Sequence, residues 1–256
     1  MTQLICFDID GTLNDPATHQ VSESCRFALH KLKANGYQLA IATGRNIKSV
    51  CESGFHQLID WDAYICDNGI SVLDKNQNII AQEKYPISLV QSAIDTADKL
   101  NIPIAYQNDE GQFLSGDINE NVVAAHQFFH EPIPIKKAYD NDPVLMMAVY
   151  DTLDSTYESF ANIPHLSIAL SQSTYADLVL SHMNKYIGIK KLCDYLNLDG
   201  YIAFGDAMND IEMLQHASCA ILMGQGDQKL VPYANFITKA VDDDGIYYAC
   251  KELKLF

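Results

Sequence analysis

At 256 residues, 48% hydrophobic and 20% charged, the chain has an ordinary globular composition and is long enough for one large domain or two smaller ones. A formal net charge of -16 argues against nucleic acid as a partner, because backbone binding needs basic surface. No apolar run approaches the ~18 residues that a membrane span needs, so no membrane partner is expected. The start, Met1-Thr2-Gln3, carries neither a basic segment nor a small-residue cleavage site, which points away from a secretory signal. The seven cysteines, Cys6, Cys25, Cys51, Cys66, Cys193, Cys219 and Cys250, form no C-x-x-C pair and read as reduced thiols of a cytoplasmic protein.

In chain order, Leu4-Ile5-Cys6-Phe7-Asp8 reads as a buried strand that ends in Asp8-Ile9-Asp10-Gly11-Thr12. A helix is expected over 22–35, closed by Asn35-Gly36, followed by a strand over 37–43 and a second helix over 46–56. Ala63-Tyr64-Ile65-Cys66 is a third short strand, ending in Asp67-Asn68-Gly69. Repeated β-α-β units at this spacing predict a parallel sheet with helices on both faces. From residue 70 the texture changes to a hairpin over 70–81, a helix near 87–100, and turn-rich sequence with strands at 145–150 and 176–180. The β-α alternation then resumes: a helix over 187–197, a strand over 201–205, a helix over 209–217, a strand over 219–223 and a last helix over 245–254. The expectation is a doubly wound α/β core of residues 1–78 and 184–256, with an inserted α+β segment over 79–183. A core split in this way suggests that the insertion is a cap over an active site.

In an open parallel sheet, ligands bind at the carboxyl ends of the strands. Four polar clusters fall there or beside a helix that returns to the core: Asp8-x-Asp10-Gly11-Thr12, Thr43-Gly44-Arg45, Lys185, and Gly205-Asp206-Ala207-Met208-Asn209-Asp210. Carboxylates at the end of a buried strand are unfavourable unless a cation or hydrogen bonds compensate them. Phosphoryl transfer through an aspartate uses such an arrangement. Asp8 is the candidate nucleophile and Asp10 the acid that protonates the leaving oxygen and then takes a proton from water. Thr43 and the Gly44 amide are placed to hold phosphoryl oxygens, and Lys185 to oppose the charge of the transition state. Asp206 and Asp210, with Asp8 and the carbonyl of Asp10, would make a hard-oxygen site for Mg2+.

These clusters, in this order, resemble the four motifs of the haloacid dehalogenase superfamily of aspartate-nucleophile phosphatases. The long insertion between the second and third resembles the cap of the Cof-type subgroup, subfamily IIB. Cys66-Asp67-Asn68-Gly69, Asn184-Lys185, Leu222-Met223-Gly224 and Asp244-Gly245-Ile246 resemble further motifs of that subgroup. The resemblance covers residues 1–78 and 184–256 and is weak across the insertion. It implies Asp8 as nucleophile, Asp10 as acid/base, and Mg2+ bound by Asp8, the Asp10 carbonyl and Asp206. It also implies phosphate contacts from the Ile9 amide, Thr43, Gly44, Lys185 and Asn209. Two positions depart from the pattern: Tyr186 stands where glycine is usual, and Gln225-Gly226 where Asn-Ala is common.

The motifs and the resemblance thus imply a phosphomonoesterase acting on a small phosphorylated metabolite, and a monomer or small homo-oligomer is expected. A phosphomutase of the same chemistry and a non-catalytic phosphate-binding regulatory protein are the alternatives. Arg45 is a candidate for phosphate or for a salt bridge that positions the cap. Asn68 either touches substrate or simply accepts a left-handed turn. His126, His130, His165 and His182 show no zinc-ligand spacing and are expected to be solvated or capping. Tyr106, Phe113, Phe128, Phe129 and Tyr175 are expected to form the small core of the insertion.

Overall fold

The computed structural model describes residues 3–108, 110–128, 132–170 and 174–256, so His130 and Phe129 lie outside the described residues. The chain divides into two compact units, one of residues 1–82 and 184–256, the other of residues 83–183.

The first unit begins with β1 (Leu4–Phe7), α1 (Glu23–Ala34), β2 (Gln38–Ala42), α2 (Ile47–Glu52), β3 (Ala63–Cys66), β4 (Ser71–Asp74) and β5 (Ile79–Gln82). The second unit carries α3 (Ile87–Leu100), β6 (Ile104–Asn108), β7 (Gly111–Ser115), α4 (Glu120–Phe128), β8 (Ile135–Lys136), β9 (Met146–Val149), α5 (Asp154–Ala161), β10 (Leu166–Leu170) and β11 (Ala176–Leu180). The chain then completes the first unit with α6 (Lys185–Leu196), β12 (Tyr201–Gly205), α7 (Ile211–Gln215), β13 (Cys219–Leu222), β14 (Phe236–Ile237) and α8 (Gly245–Glu252).

The first unit holds an eight-stranded sheet in the order β14-β13-β12-β1-β2-β3-β4-β5. The strands from β14 to β3 run parallel, and β4 and β5 are added antiparallel. Side chains of a strand alternate between faces, so a strand buried on both sides is apolar throughout. Accordingly Ile5 and Phe7 pack with Leu29 and Leu32 of α1 and Ile246 and Ala249 of α8. Leu4 and Cys6 face the opposite way, towards Ile189 and Leu192 of α6 and Met213 and Leu214 of α7. Phe7 stacks on Phe204 at 4.8 Å between ring centroids and meets the edge of Trp61 at 6.2 Å, which ties β1 to β12 and to the turn before β3. The doubly wound core predicted from the sequence is therefore present.

The boundary of the insertion differs from the expected 78/79. Ile79–Gln82 form β5, paired with β4 across a turn in which Asp74 Oδ1 accepts the N–H groups of Asn76 and Asn78. A hairpin that closes on the same sheet edge stays with that sheet, so the second unit starts at Glu83. Helix α2 is shorter than the predicted 46–56, because Gly54 turns to φ +79°. Helix α6 starts earlier, at Lys185, because the Asn184 side chain caps it by accepting the N–H of Ile187 at 3.0 Å.

The second unit is a six-stranded sheet in the order β10-β11-β9-β6-β7-β8, antiparallel except for the β7–β8 pair. Tyr106 is buried there and Tyr175 packs on a cluster of Ala105, Leu114, Val122, Ala125 and Tyr150. Phe113 packs on Tyr106 with centroids 5.6 Å apart, while Phe128 is partly exposed, at 39%. His126 departs from the solvated role expected of it: it is buried, with Nε2 2.9 Å from the Tyr150 hydroxyl. His165 and His182 are exposed. All seven cysteines are free, and no described helix is long and apolar enough to cross a membrane.

Candidate active site

The site is built at the carboxyl ends of β1, β2, β3 and β12, all within the first unit. Asp8 follows β1 directly, and its N–H donates to the Phe204 carbonyl at 3.0 Å, which extends the β1–β12 pairing by one residue. The Ile9 carbonyl then accepts the N–H groups of Thr12, Leu13 and Asn14, closing a tight turn. Gly11 sits in that turn at φ +87°, and a Cβ there would overlap the Asp206 carboxylate. Only glycine satisfies both the left-handed backbone and the close approach.

Lys185 lies at the first position of α6 and is fully buried. Its Nζ donates to Asp8 Oδ1 at 2.7 Å and to Asp210 Oδ1 at 2.6 Å. The helix reaches this depth because it runs against the turn after β3. A Cβ on Gly188 would lie 2.5 Å from Ile65 Cγ2 and 2.8 Å from the Gly69 Cα. That turn holds three successive residues with positive φ, Asp67, Asn68 and Gly69.

Asp210 Oδ2 accepts the N–H groups of Asp206 (2.9 Å) and Ala207 (3.0 Å), so this carboxylate shapes the loop that carries its neighbour as well as holding Lys185. Asp206 in turn accepts the Thr12 hydroxyl at 2.9 Å. Oxygens of Asp8, Asp206 and Asp210 lie within 4.8 Å of one another. Among the described residues, Lys185 is thus the one ammonium bonded within this group of three buried carboxylates, to Asp8 and Asp210. Burial pushes the Asp8 carboxyl up to about 7 against the pull of Lys185. Burial, together with Asp8 and Asp210, pushes Asp206 up to about 9. Burial works against the charge on Lys185, but Asp210 and Asp8 outweigh it and hold its pKa above the ordinary value. Three clustered carboxylates, of which burial opposes the ionisation of Asp8 and Asp206, offer hard oxygens that fit a small divalent cation such as Mg2+.

Asp10 is placed differently from these three. Its side chain is about one-third exposed and meets Arg45 in a two-point ion pair, Nε to Oδ2 at 2.7 Å and Nη2 to Oδ1 at 2.8 Å. Arg45, which the sequence offered as a phosphate ligand or a salt bridge to the insertion, therefore finds its partner on the first motif. Thr43 is buried, its hydroxyl accepting the Arg45 N–H at 3.1 Å, and Gly44 packs beside the Asn68 amide. Asn209 donates from Nδ2 to Asn68 Oδ1 at 3.2 Å. The structure thus brings Asp8, Lys185, Asp206 and Asp210 into one cluster, pairs Asp10 with Arg45, and links Asn209 to Asn68.

Two further side chains brace the site, one of them, Asn14, without a signal in the sequence. Asn14 donates to Asp10 Oδ1 at 3.3 Å. Gln225 spans two loops: its amide nitrogen bonds to the Gly11 carbonyl, and Oε1 accepts the Val241 N–H at 3.1 Å. Where the motif pattern would have Asn-Ala, Gln225-Gly226 therefore braces the turn that follows the nucleophile candidate.

The chain is also similar in sequence and fold to known proteins. Residues 5–250 match the family model of the haloacid dehalogenase-like hydrolases. YkrA of Bacillus subtilis (strain 168) is 29% identical over 99% of this chain and 98% of its own length. The 5-amino-6-(5-phospho-D-ribitylamino)uracil phosphatase YitU of the same strain is 27% identical over 97% of this chain and 96% of its own. Among solved structures, the HAD subclass IIB sugar phosphatase BT4131 superposes with a TM-score of 0.89 at 26% identity, over the full length of both chains.

Proposed function

The chain belongs to the haloacid dehalogenase-like hydrolases, as a Cof-type phosphatase acting on phosphate monoesters, and we propose that it hydrolyses a small phosphorylated metabolite with Mg2+ through an aspartyl-phosphate on Asp8. The observation that carries this reading is the Asp8 carboxylate 2.7 Å from the Lys185 ammonium, inside the group formed with Asp206 and Asp210.

Asp8 attacks phosphorus while Lys185, already bound to it, opposes the charge that builds on the equatorial oxygens. Thr43, Gly44, the Ile9 amide and Asn209 supply the donors that hold those oxygens. Asp8, Asp206 and the Asp10 carbonyl would hold Mg2+, which when bound neutralises the carboxylate cluster and polarises the phosphoryl group. Asp210 acts by fixing Lys185 and the Asp206 backbone. Asp10 gives its proton to the departing oxygen and later takes one from the attacking water, a role worth about 10²–10⁴ in rate.

The second unit, inserted between two halves of the site-bearing unit, is the segment we assign to choice of substrate. BT4131 is a sugar phosphatase and YitU acts on a phosphoribityl compound, so a phosphorylated polyol or sugar is the class to test first. Seven free cysteines fit residence in the reducing cytoplasm.

The test is phosphate release from a panel of sugar and polyol phosphates, with Mg2+ and with EDTA, comparing the native chain with Asp8→Asn. Release that needs Mg2+ and is lost in the variant is expected. Release that survives in Asp8→Asn would overturn the nucleophile, and release unaffected by EDTA would overturn the metal.

A further inference from the structure

The Arg45 guanidinium belongs to none of the steps just described, yet it is among the most constrained side chains of the site. Nε and Nη2 bind the two oxygens of Asp10 at 2.7 and 2.8 Å. Nη1 reaches Ser49 Oγ at 3.3 Å and Ser53 Oγ at 3.2 Å, on α2 and at its C-terminal end. The group also lies 5.4 Å from the centroid of the Phe55 ring. Its backbone is held as well, the N–H by the Thr43 hydroxyl and the carbonyl by the Asp67 N–H at 3.0 Å. At least four of its five N–H donors are thereby engaged within the protein.

Asp10 is equally defined. A carboxylate offers about four acceptor positions. Three are engaged here: Oδ2 by Arg45 Nε, and Oδ1 by Arg45 Nη2 and Asn14 Nδ2. The remaining position lies on Oδ2. The fork of a guanidinium fixes the plane of a carboxylate as well as its position, which an ammonium cannot do.

We propose that Arg45 is a positioning residue that aims Oδ2 of Asp10 at the departing oxygen, and that it is not a phosphate ligand. This rests on the aspartyl-phosphate reading. In the first half-reaction Asp8 forms a bond to phosphorus, the ester P–O bond breaks, and the leaving oxygen takes the proton carried by Asp10. In the second, water attacks phosphorus, gives its proton to Asp10, and the Asp8–phosphorus bond breaks to release inorganic phosphate. Orientation of Asp10 therefore matters in proportion to how much the leaving oxygen needs a proton.

The test compares two esters: p-nitrophenyl phosphate, whose phenolate departs unprotonated, and glycerol phosphate, whose alkoxide does not. In Arg45→Ala, kcat on glycerol phosphate is expected to fall about 30- to 100-fold, and on p-nitrophenyl phosphate less than about 5-fold, with KM changed less than about 3-fold for either. Arg45→Lys, which restores charge without the fork, should lie between. The double variant Ser49→Ala/Ser53→Ala, which leaves Arg45 in place but loosens it, should show the same ester dependence at smaller amplitude and serves if Arg45→Ala misfolds. Equal losses on both esters, or a raised KM together with weakened inhibition by inorganic phosphate, would overturn the inference and make Arg45 a phosphate ligand. Native protein inactive on both esters, and on the wider panel, would instead overturn the parent reading.

Discussion

Replacing Asp8 by Asn should abolish turnover and yet stabilise the metal-free protein, and the size of that stabilisation follows from the site. Asp8 is 5% exposed, and burial pushes its carboxyl up to about 7 from the ordinary carboxylate value of about 4. A folded-state pKa above the unfolded one means that the folded protein keeps a proton which the unfolded chain releases. The contribution of Asp8 to stability is therefore fully present below about pH 4, is lost as pH rises through the window from about 4 to about 7, and is constant above it. At about 1.36 kcal/mol per unit, three units make a ceiling of about 4 kcal/mol at pH 8. Asn is neutral in both states, has nearly the same shape, and still offers an oxygen to Lys185. Relaxation around the cluster should leave about 2–4 kcal/mol of the gain, and for a protein of this size each kcal/mol raises the melting temperature by about 2–4 °C. Thermal melts of both proteins in EDTA from pH 5 to 8.5 provide the assay. The expected result is an advantage for Asp8→Asn of about 5–15 °C at pH 8 that shrinks towards pH 5. A variant no more stable than the native chain at pH 8, with no widening between the two, would refute the electrostatic account of the cluster.

Mg2+ should bind more tightly as pH rises from 6 to 9, because it displaces protons from Asp8 and from Asp206, whose carboxyl is pushed up to about 9; titration calorimetry in buffers of different ionisation enthalpy would detect the released protons, and an affinity independent of pH would count against the assignment. Lys185→Met removes the ammonium shared by Asp8 and Asp210, so at pH 8 in EDTA a loss of about 3–5 kcal/mol is expected along with loss of turnover, with recovery in denaturant midpoint at acid pH. Gly188→Ala forces a methyl against Ile65 and Gly69, which should lower stability by about 1–3 kcal/mol and, by lifting the start of α6, reduce activity more than a remote substitution of equal stability effect. An unchanged melting temperature for that variant would show that the turn after β3 yields easily.

Much of the fold could be read directly from the chain. The uninterrupted apolar run Leu4–Phe7 signals a strand buried on both faces, and both faces are indeed covered, one by α1 and α8 and the other by α6 and α7. Helix ends announced by Ser22 and Asn35-Gly36 appear as caps, whereas the helix capped by Asn184 starts two residues ahead of the expected position. The insertion was less legible. Its short strands, β7, β8 and β10 among them, depend on neighbours for their pairing, and its boundary was drawn through a hairpin that belongs to the first sheet. His126 resembled any exposed helix histidine until the fold placed Tyr150 against it.

For the site, the residue types and their order along the chain were enough to nominate Asp8, Asp10, Thr43, Lys185, Asp206 and Asp210, because strand-end positions in a parallel sheet converge whatever the loops do. What each of them does to its neighbours was decided by the tertiary structure alone. Lys185 reaches Asp8 across 177 positions, Thr12 reaches Asp206 across 194, and Arg45 grips Asp10 rather than a residue of the insertion. Local pattern determines which segments become strands and helices, since periodicity and capping act within a few residues. Ion pairing, burial and the resulting shifts in proton affinity arise only when crossover connections bring distant loops within a few ångströms, a distance over which the Coulomb energy changes several-fold.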